Sequence, residues 1–467
     1  MRLQSIHLKH TYHFTNLNIQ FNYSNKPITL ILGEQASGKT ALIKNIYQAL
    51  SWLPARLKDT RTAGVVMLDQ DIMLHRMQSK IDIKINFPPE LGNLAESQTA
   101  QESAPSQCAW QLYKTLNTSG VGFSKVELQQ LDALVELYLQ AHKKDPLQGF
   151  PLLAYYPSDR FCNEINLLSK NNPAVFQLQA AFELTPITYT TYTRFFEWLR
   201  EIFDIENAQT AQLFQKIIRE QKLAQAESSS QHAPQIYQEL DLKKSLLQAN
   251  TPLRSPCLNA LKSSLQTVLP EISDLYLDYQ PKLQLMVNYK HNIVLYQQLS
   301  NTLKSWIALV GDIVRRLCLL NPNSLFPCLE GEGILLIDNI DAHLEGNHAA
   351  QILERLHQAF PKLQIIVSGT QTELLEYAAD YQYLKLEHKT LIEVALQQQQ
   401  HHFDLMYQQL QALDQTETIA PLAVTELNDL NLQQLYQQIQ DLSPEQRQAL
   451  LSLIQANDAQ SRHEPLL

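Results

Sequence analysis

The stretch Gly33–Thr40, GEQASGKT, constrains this chain more than any other. It follows the apolar run ITLIL and opens into TALIKNIYQALSWL, where Leu42, Ile46, Leu50 and Leu53 recur at helical spacing. A strand feeding a glycine-bracketed loop that starts a helix is the context the G-x-x-x-x-G-K-[ST] pattern requires. Gly33 and Gly38 let the loop turn the backbone N–H groups of Glu34, Gln35, Ala36, Ser37, Lys39, Thr40 and Ala41 inward around phosphates. The helix start adds its positive dipole end. Lys39 is expected to reach the β- and γ-phosphates and the Thr40 hydroxyl to sit on Mg2+, so the expected ligand is ATP with magnesium.

A second stretch completes this pattern about 300 residues later. GILLIDNIDAHLEG places four apolar residues, Ile334–Ile337, before Asp338, as a buried strand does when it delivers a carboxylate to a nucleotide-bound metal. Asn339 follows, where an ATPase of this style would place a carboxylate to activate water.

The chain has 467 residues, enough for two or three folding units. Its formal charge of −10 opposes broad, sequence-blind DNA binding, which needs a basic surface. Lys243–Lys244 and Arg315–Arg316 read as solvated helix faces, with phosphate contact as the sharper alternative. No run of 18 apolar residues occurs and the start lacks an export pattern, so no membrane role is expected. Five cysteines without a C-x-x-C pair fit a reduced, cytoplasmic protein. Only 12 glycines are present, none between Gly149 and Gly311, so the middle of the chain reads as mostly helical.

Alternating strands are expected at RLQSIHLKH, LNIQF, ITLILG and KIDIKINF, followed by a polar loop over 93–105. Amphipathic helices are expected over 124–143 and 192–225. Three hairpin-ordered strands (DLYLDYQ, KLQLMVNYK, NIVLYQQ) come next, then a helix at KSWIALVGDIVRRLCLL. The Asp338 strand, a helix over Asn347–Phe360 and the strand KLQIIVSG close the set. The expected division is a nucleotide-binding lobe at 1–92, a helical insertion at 93–270, a C-terminal lobe at 271–396 and a Gln-rich helical tail at 397–467. Within that tail, SPEQRQALLSLIQ carries a Ser N-cap signal.

From Leu299 to Pro322, LSNTLKSWIALVGDIVRRLCLLNP, the chain resembles ABC-type ATPases of the SMC and RecF-like class. More narrowly it resembles the PtuA-like ATPases of Septu and retron antiviral defence systems. YYPSDR (Tyr155–Arg160), RFFEWLREIFDIEN (Arg194–Asn207), LVGDIVRRL and FPKLQIIVSG carry that likeness, which runs from residue 1 to about 390. It implies an α/β P-loop NTPase fold of ABC-ATPase type, with N- and C-terminal lobes forming one head around a largely helical insertion. It also implies that Ser300 serves a nucleotide in trans in a head-to-head dimer or higher homo-oligomer. The implied partners are an HNH-type nuclease and possibly DNA or reverse-transcribed DNA.

Three positions depart from the family pattern. Asn339 replaces the glutamate offered to the attacking water, Thr302 the signature glycine, and Thr370 the switch histidine. An amide accepts no proton at neutral pH, and loss of a positioned general base costs roughly 10²–10⁴-fold in rate. The expectation is therefore an ATP-holding switch with slow or absent hydrolysis. An active ATPase of DNA repair and a scaffold without nucleotide binding are the alternatives. Asp69 and Asp71 are weaker candidates for approaching the metal. His343 is one for a subunit contact, and His401–His402 for a metal. Trp198 and Phe195–Phe196 read as core.

Overall fold

Every residue of Ile28–Leu32 is buried, as in a strand covered on both faces. The computed structural model places it inside a six-stranded sheet. The structure describes residues 1–92 except 24, residue 94, 106–116, 122–160, 176–182, 184, 192–227, 255–394 except 343, 345 and 388, and 443–448 except 445.

The N-terminal strands are β1 (Arg2–Thr11), β2 (Phe14–Gln20), β3 (Ile28–Leu32), β4 (Gln78–Phe87), β5 (Ser106–Leu116), β6 (Gly122–Glu127) and β7 (Leu152–Tyr156). The later ones are β8 (Ile272–Asp278), β9 (Gln284–Tyr289), β10 (Asn292–Leu295), β11 (Gly333–Ile337), β12 (Leu363–Gly369), β13 (Gln382–Glu387) and β14 (Thr390–Glu393). Helices α1 (Lys39–Leu50), α2 (Trp52–Lys58), α3 (Gln129–Lys144) and α4 (Thr193–Glu227) precede α5 (Pro256–Val268), α6 (Asn301–Leu320) and α7 (Gly346–Ala359).

The central sheet runs β14-β13-β3-β12-β11-β7. Only its edge strand β14 is antiparallel to its neighbour. Leu32 pairs with Gly369, Val367 with Ile337, and Ile337 with Tyr156. The carboxyl ends of β3, β12, β11 and β7 therefore align, and ligands of open α/β sheets bind along that edge. A five-stranded antiparallel sheet, β2-β1-β4-β5-β6, forms a second layer, and β10-β9-β8 form a small third sheet.

Helix α1 touches β4 of the antiparallel sheet and β11 and β12 of the central one. Its apolar stripe is buried at Leu42, Ile43, Ile46 and Leu50. Burying each such side chain contributes on the order of 1.5–3 kcal/mol. Trp110 of β5 donates its indole N–H to the Ala49 carbonyl at 2.9 Å, and Tyr47 stacks on Tyr155 of β7 at 4.8 Å. The helix carrying Lys39 is thus held from both sides.

The long α4 starts against α6. Phe195 occupies the space beside Gly311, where a Cβ would come within 2.2 Å of its ring. Phe195, Trp198 and Leu199 are fully buried, in agreement with the core reading of that helix.

Two expectations need correction here. The stretch 93–270, expected as a largely helical insertion, also supplies strands to both sheets: β5 and β6 extend the antiparallel sheet and β7 joins the central one. The glycine-free stretch begins only after Gly149, and β5 before it is an alternating strand with Cys108, Trp110, Leu112 and Lys114 facing inward. Edge strand β6 is mostly exposed and carries no apolar alternation to read. Arg315 and Arg316 are not a solvated face either. Both are buried beside buried Asp312, which also accepts the Tyr156 hydroxyl at 2.9 Å.

Residues 1–394 form one compact unit and 395–467 a second. In the second, Ser443 Oγ accepts the Gln446 N–H and Gln446 Oε1 accepts the Ser443 N–H, a reciprocal cap. His343, His401, His402, Lys243 and Lys244 lie outside the described residues.

Candidate nucleotide site

The loop between β3 and α1 is shaped by two backbone positions that few residues adopt. Gly38 has φ +108°, and Ala36 has φ +62°. A Cβ on Gly33 would meet the Leu386 carbonyl at 2.5 Å, so only glycine fits where the loop passes β13. Lys39 is buried, and its Nζ donates to the carbonyls of Gly33 at 2.5 Å and Glu34 at 2.8 Å. Burial lowers its pKa, while the nearby carboxylates of Asp338 and Asp341 act in the opposite direction. That coupling brings the loop lysine together with two carboxylates about 300 residues away.

A cleft of about 370 Å³ opens over the loop. Ala36, Ser37, Gly38, Lys39, Thr40 and Ala41 line it with Lys44, and Tyr12 and His13 close it from the β1–β2 turn. Thr40, Glu34 and Gln35 are exposed. The start of α1 lines this cleft, and the first N–H groups of a helix have no partner within it, which suits anions.

Asp338 follows β11 and is 1% exposed. Its N–H donates to the Tyr156 carbonyl at 2.9 Å, and its Oδ1 accepts the Ser368 hydroxyl at 2.5 Å. Oδ2 is buried with no hydrogen-bond partner. Buried carboxylate oxygens are normally paired, so this atom awaits a donor or a cation. A hard divalent ion bound by oxygen ligands fits it, with the Thr40 hydroxyl available from the loop.

Asn339 has φ +50°, a left-handed conformation that Asn tolerates better than most side chains. Its N–H donates to Ser368 Oγ at 2.8 Å. Asp341 is buried, and its Oδ2 accepts the N–H groups of Thr370 at 2.7 Å and Gln371 at 2.6 Å, while Oδ1 has no partner. Thr370 therefore sits at the end of β12, beside Gly33 across the Leu32–Gly369 register.

Ser300 is brought elsewhere. It is exposed, N-caps α6 by accepting the Leu303 N–H at 3.2 Å, and does not line the cleft. Asp69 and Asp71 are engaged in other contacts. Asp71 Oδ2 accepts from Gln48 Nε2 at 3.0 Å and the Leu68 N–H at 2.8 Å, and Asp69 pairs with Lys114 at 2.8 Å.

Sequence reasoning missed the parts played by Ser368, Tyr12, His13 and Arg160. Arg160 was legible only as the end of YYPSDR. In the structure its guanidinium reaches the carbonyls of Asp338 and Asn339. Among the described residues no group of three or more His, Cys, Asp or Glu side chains forms a separate metal centre, and no helix is long and apolar enough to cross a membrane.

Residues 5–273 match a family model described as AAA domain. The chain is 27% identical over 393 residues to the Retron Ec83 probable ATPase of Escherichia coli, covering 79% of this chain and 68% of that protein. It is 27% identical over 391 residues to the Retron Vc95 probable ATPase of Vibrio cholerae serotype O1 biovar El Tor, covering 79% and 70%. Among solved structures it is similar to the Smc head domain of Pyrococcus furiosus with an extended coiled coil, bound to the C-terminal domain of ScpA. That match has TM-score 0.43 and 11% identity, and covers 87% of this chain and 99% of that one. It is also similar to the SMC head domain from Thermotoga maritima, with TM-score 0.37, 12% identity, and 84% and 98% coverage. The matched span takes in more than half of the residues, including the phosphate-binding loop, and this protein belongs to the AAA domain family.

Proposed function

We propose that this protein holds Mg-ATP as a conformational switch and turns it over slowly. Gly33–Ala41 would bind the triphosphate, with Thr40 and Asp338 holding the metal. The metal would supply charge neutralisation across the phosphates. The observation that carries the reading is the state of residue 339. Its backbone N–H and carbonyl are both hydrogen-bonded, yet its side chain is an amide that accepts no proton. Binding parts are intact, and the base position is altered.

The likeness to retron ATPases supports a place in antiviral defence of the retron or Septu kind. There the ATP-bound state would organise a partner, by resemblance an HNH-type nuclease, with reverse-transcribed DNA as a further component. Ser300 would then complete the site of a second copy in a head-to-head dimer or larger assembly. The lobes at 1–92 and 271–396, together with β5–β7, would form each head, and the tail at 397–467 would serve as a partner-binding or packing element. The free thiols of Cys108, Cys257, Cys318 and Cys328 suit a reduced cytoplasmic compartment.

Titration of purified protein with ATP and Mg2+, alongside steady-state phosphate release, tests the core of this reading. Tight, Mg2+-dependent binding with turnover far below that of an Asn339→Glu variant supports it. No binding favours a scaffold, and DNA-stimulated rapid release favours an ATPase of the DNA-repair type.

A further inference from the structure

We infer that Arg160, with Ser368, is a positioning residue that fixes the Asp338–Asn339 peptide so that the free carboxylate oxygen of Asp338 is held for a divalent cation. The inference rests on the reading of Asp338 as a metal ligand. It assigns a function to a side chain 178 residues away in sequence.

The geometry is a closed set of bonds around two residues. Arg160 Nη1 donates to the carbonyls of Asp338 at 2.5 Å and Pro157 at 3.0 Å. Its Nη2 donates to the Asn339 carbonyl at 2.9 Å. Ser368 donates to Asp338 Oδ1 and accepts from the Asn339 N–H. The Asp338 N–H goes to Tyr156, the last residue of β7, whose following turn carries Arg160. Every polar main-chain atom of residues 338 and 339 is thereby occupied, and one oxygen of Asp338 is restrained. What stays open is Oδ2 of Asp338.

Two successive carbonyls read by the two ends of one planar group need a guanidinium. A lysine offers three donors from a single point and cannot span them. With both ends of the fork on main-chain carbonyls, Arg160 is engaged as a clamp rather than as a phosphate ligand. The clamp also bears on strain. Asn339 sits at φ +50°, a left-handed conformation that persists where the surrounding bonds over-determine it. Outer partners that orient a metal ligand typically change metal affinity by about 10–100-fold when removed.

The test uses the full chain and a fluorescent ATP analogue, with affinity measured in EDTA and across a series of free Mn2+ concentrations. Wild type, Arg160→Lys, Arg160→Ala and Ser368→Ala are compared, with Asp338→Asn as reference. The expected result is an unchanged affinity in EDTA for Arg160→Lys and Ser368→Ala. In both, the Mn2+-dependent tightening falls by about tenfold, and in Asp338→Asn it is lost. Should Arg160→Ala not fold, the lysine and serine variants carry the test. Tightening equal to wild type in both variants overturns the inference, and so does a parallel loss of affinity in EDTA, which marks general disruption. A wild type that binds the analogue without any Mn2+ dependence overturns instead the underlying reading of Asp338.

Discussion

Asp341 Oδ2 accepts two hydrogen bonds from Thr370, one from its backbone N–H at 2.7 Å and one from its hydroxyl at 3.0 Å. The family resemblance read from the sequence implies a switch histidine where Thr370 stands. Here the shorter side chain turns onto a carboxylate of its own chain. Gln371 reinforces the link through its N–H and through its amide, which reaches the carbonyls of Asp341 and Leu344 at 3.3 Å. The end of β12 is thus tied to the segment after Asp338. Thr370→Val removes one of several bonds at an exposed position and is expected to cost under about 1.5 kcal/mol. Urea denaturation measures that loss. Phosphate release should stay at the wild-type level, because the hydroxyl is committed to Asp341.

Asn339→Glu places a carboxylate where the family resemblance read from the sequence implies one. Turnover is expected to rise by about 10²-fold or more. The same change replaces a residue suited to φ +50° by one that is less so. Stability should therefore fall by roughly 1 kcal/mol. Single-turnover phosphate release and thermal unfolding read the two effects separately.

Gly38→Ala tests the loop without touching a charged group. The added methyl meets a φ of +108° and the Phe14 ring at 3.2 Å. Strain of about 1–3 kcal/mol is expected, and it is relieved by reshaping the loop that faces the phosphates. Calorimetry should show ATP affinity reduced by about tenfold or more, equivalent to roughly 1.4 kcal/mol, with the melting temperature nearly unchanged.

Asp312→Asn leaves Arg315 and Arg316 buried without their counter-charge. A loss on the order of 3–5 kcal/mol is expected from urea titration at neutral pH. The pH dependence has a definite sign. Burial pushes the Asp312 carboxyl up, but Arg316 and Arg315 outweigh it and hold it well below its ordinary value of 3.8. Its stabilisation is therefore fully present above that value and is lost as pH falls below it. The wild-type advantage over Asp312→Asn should shrink in acid and persist through neutral pH.

From Gly33–Thr40 alone, the chemistry of a phosphate-binding loop and the strand and helix around it were readable, because glycine placement and local apolar spacing are properties of a few contiguous residues. The ILLID run likewise announced a buried strand ending in a carboxylate, and KSWIALVGDIVRRLCLL announced a helix. Local sequence could not say that Arg315 and Arg316 were interior, since that depends on Asp312 and Tyr156 meeting across α6 and β7. Nor could it show β5–β7 joining two sheets, because strand pairing is settled by partners far away in the chain. The coupling of Lys39 to Asp338 and the grip of Arg160 on Asn339 were decided only by the register of parallel strands. Main-chain carbonyls carry no residue identity, so a clamp made on them leaves almost no trace in the sequence.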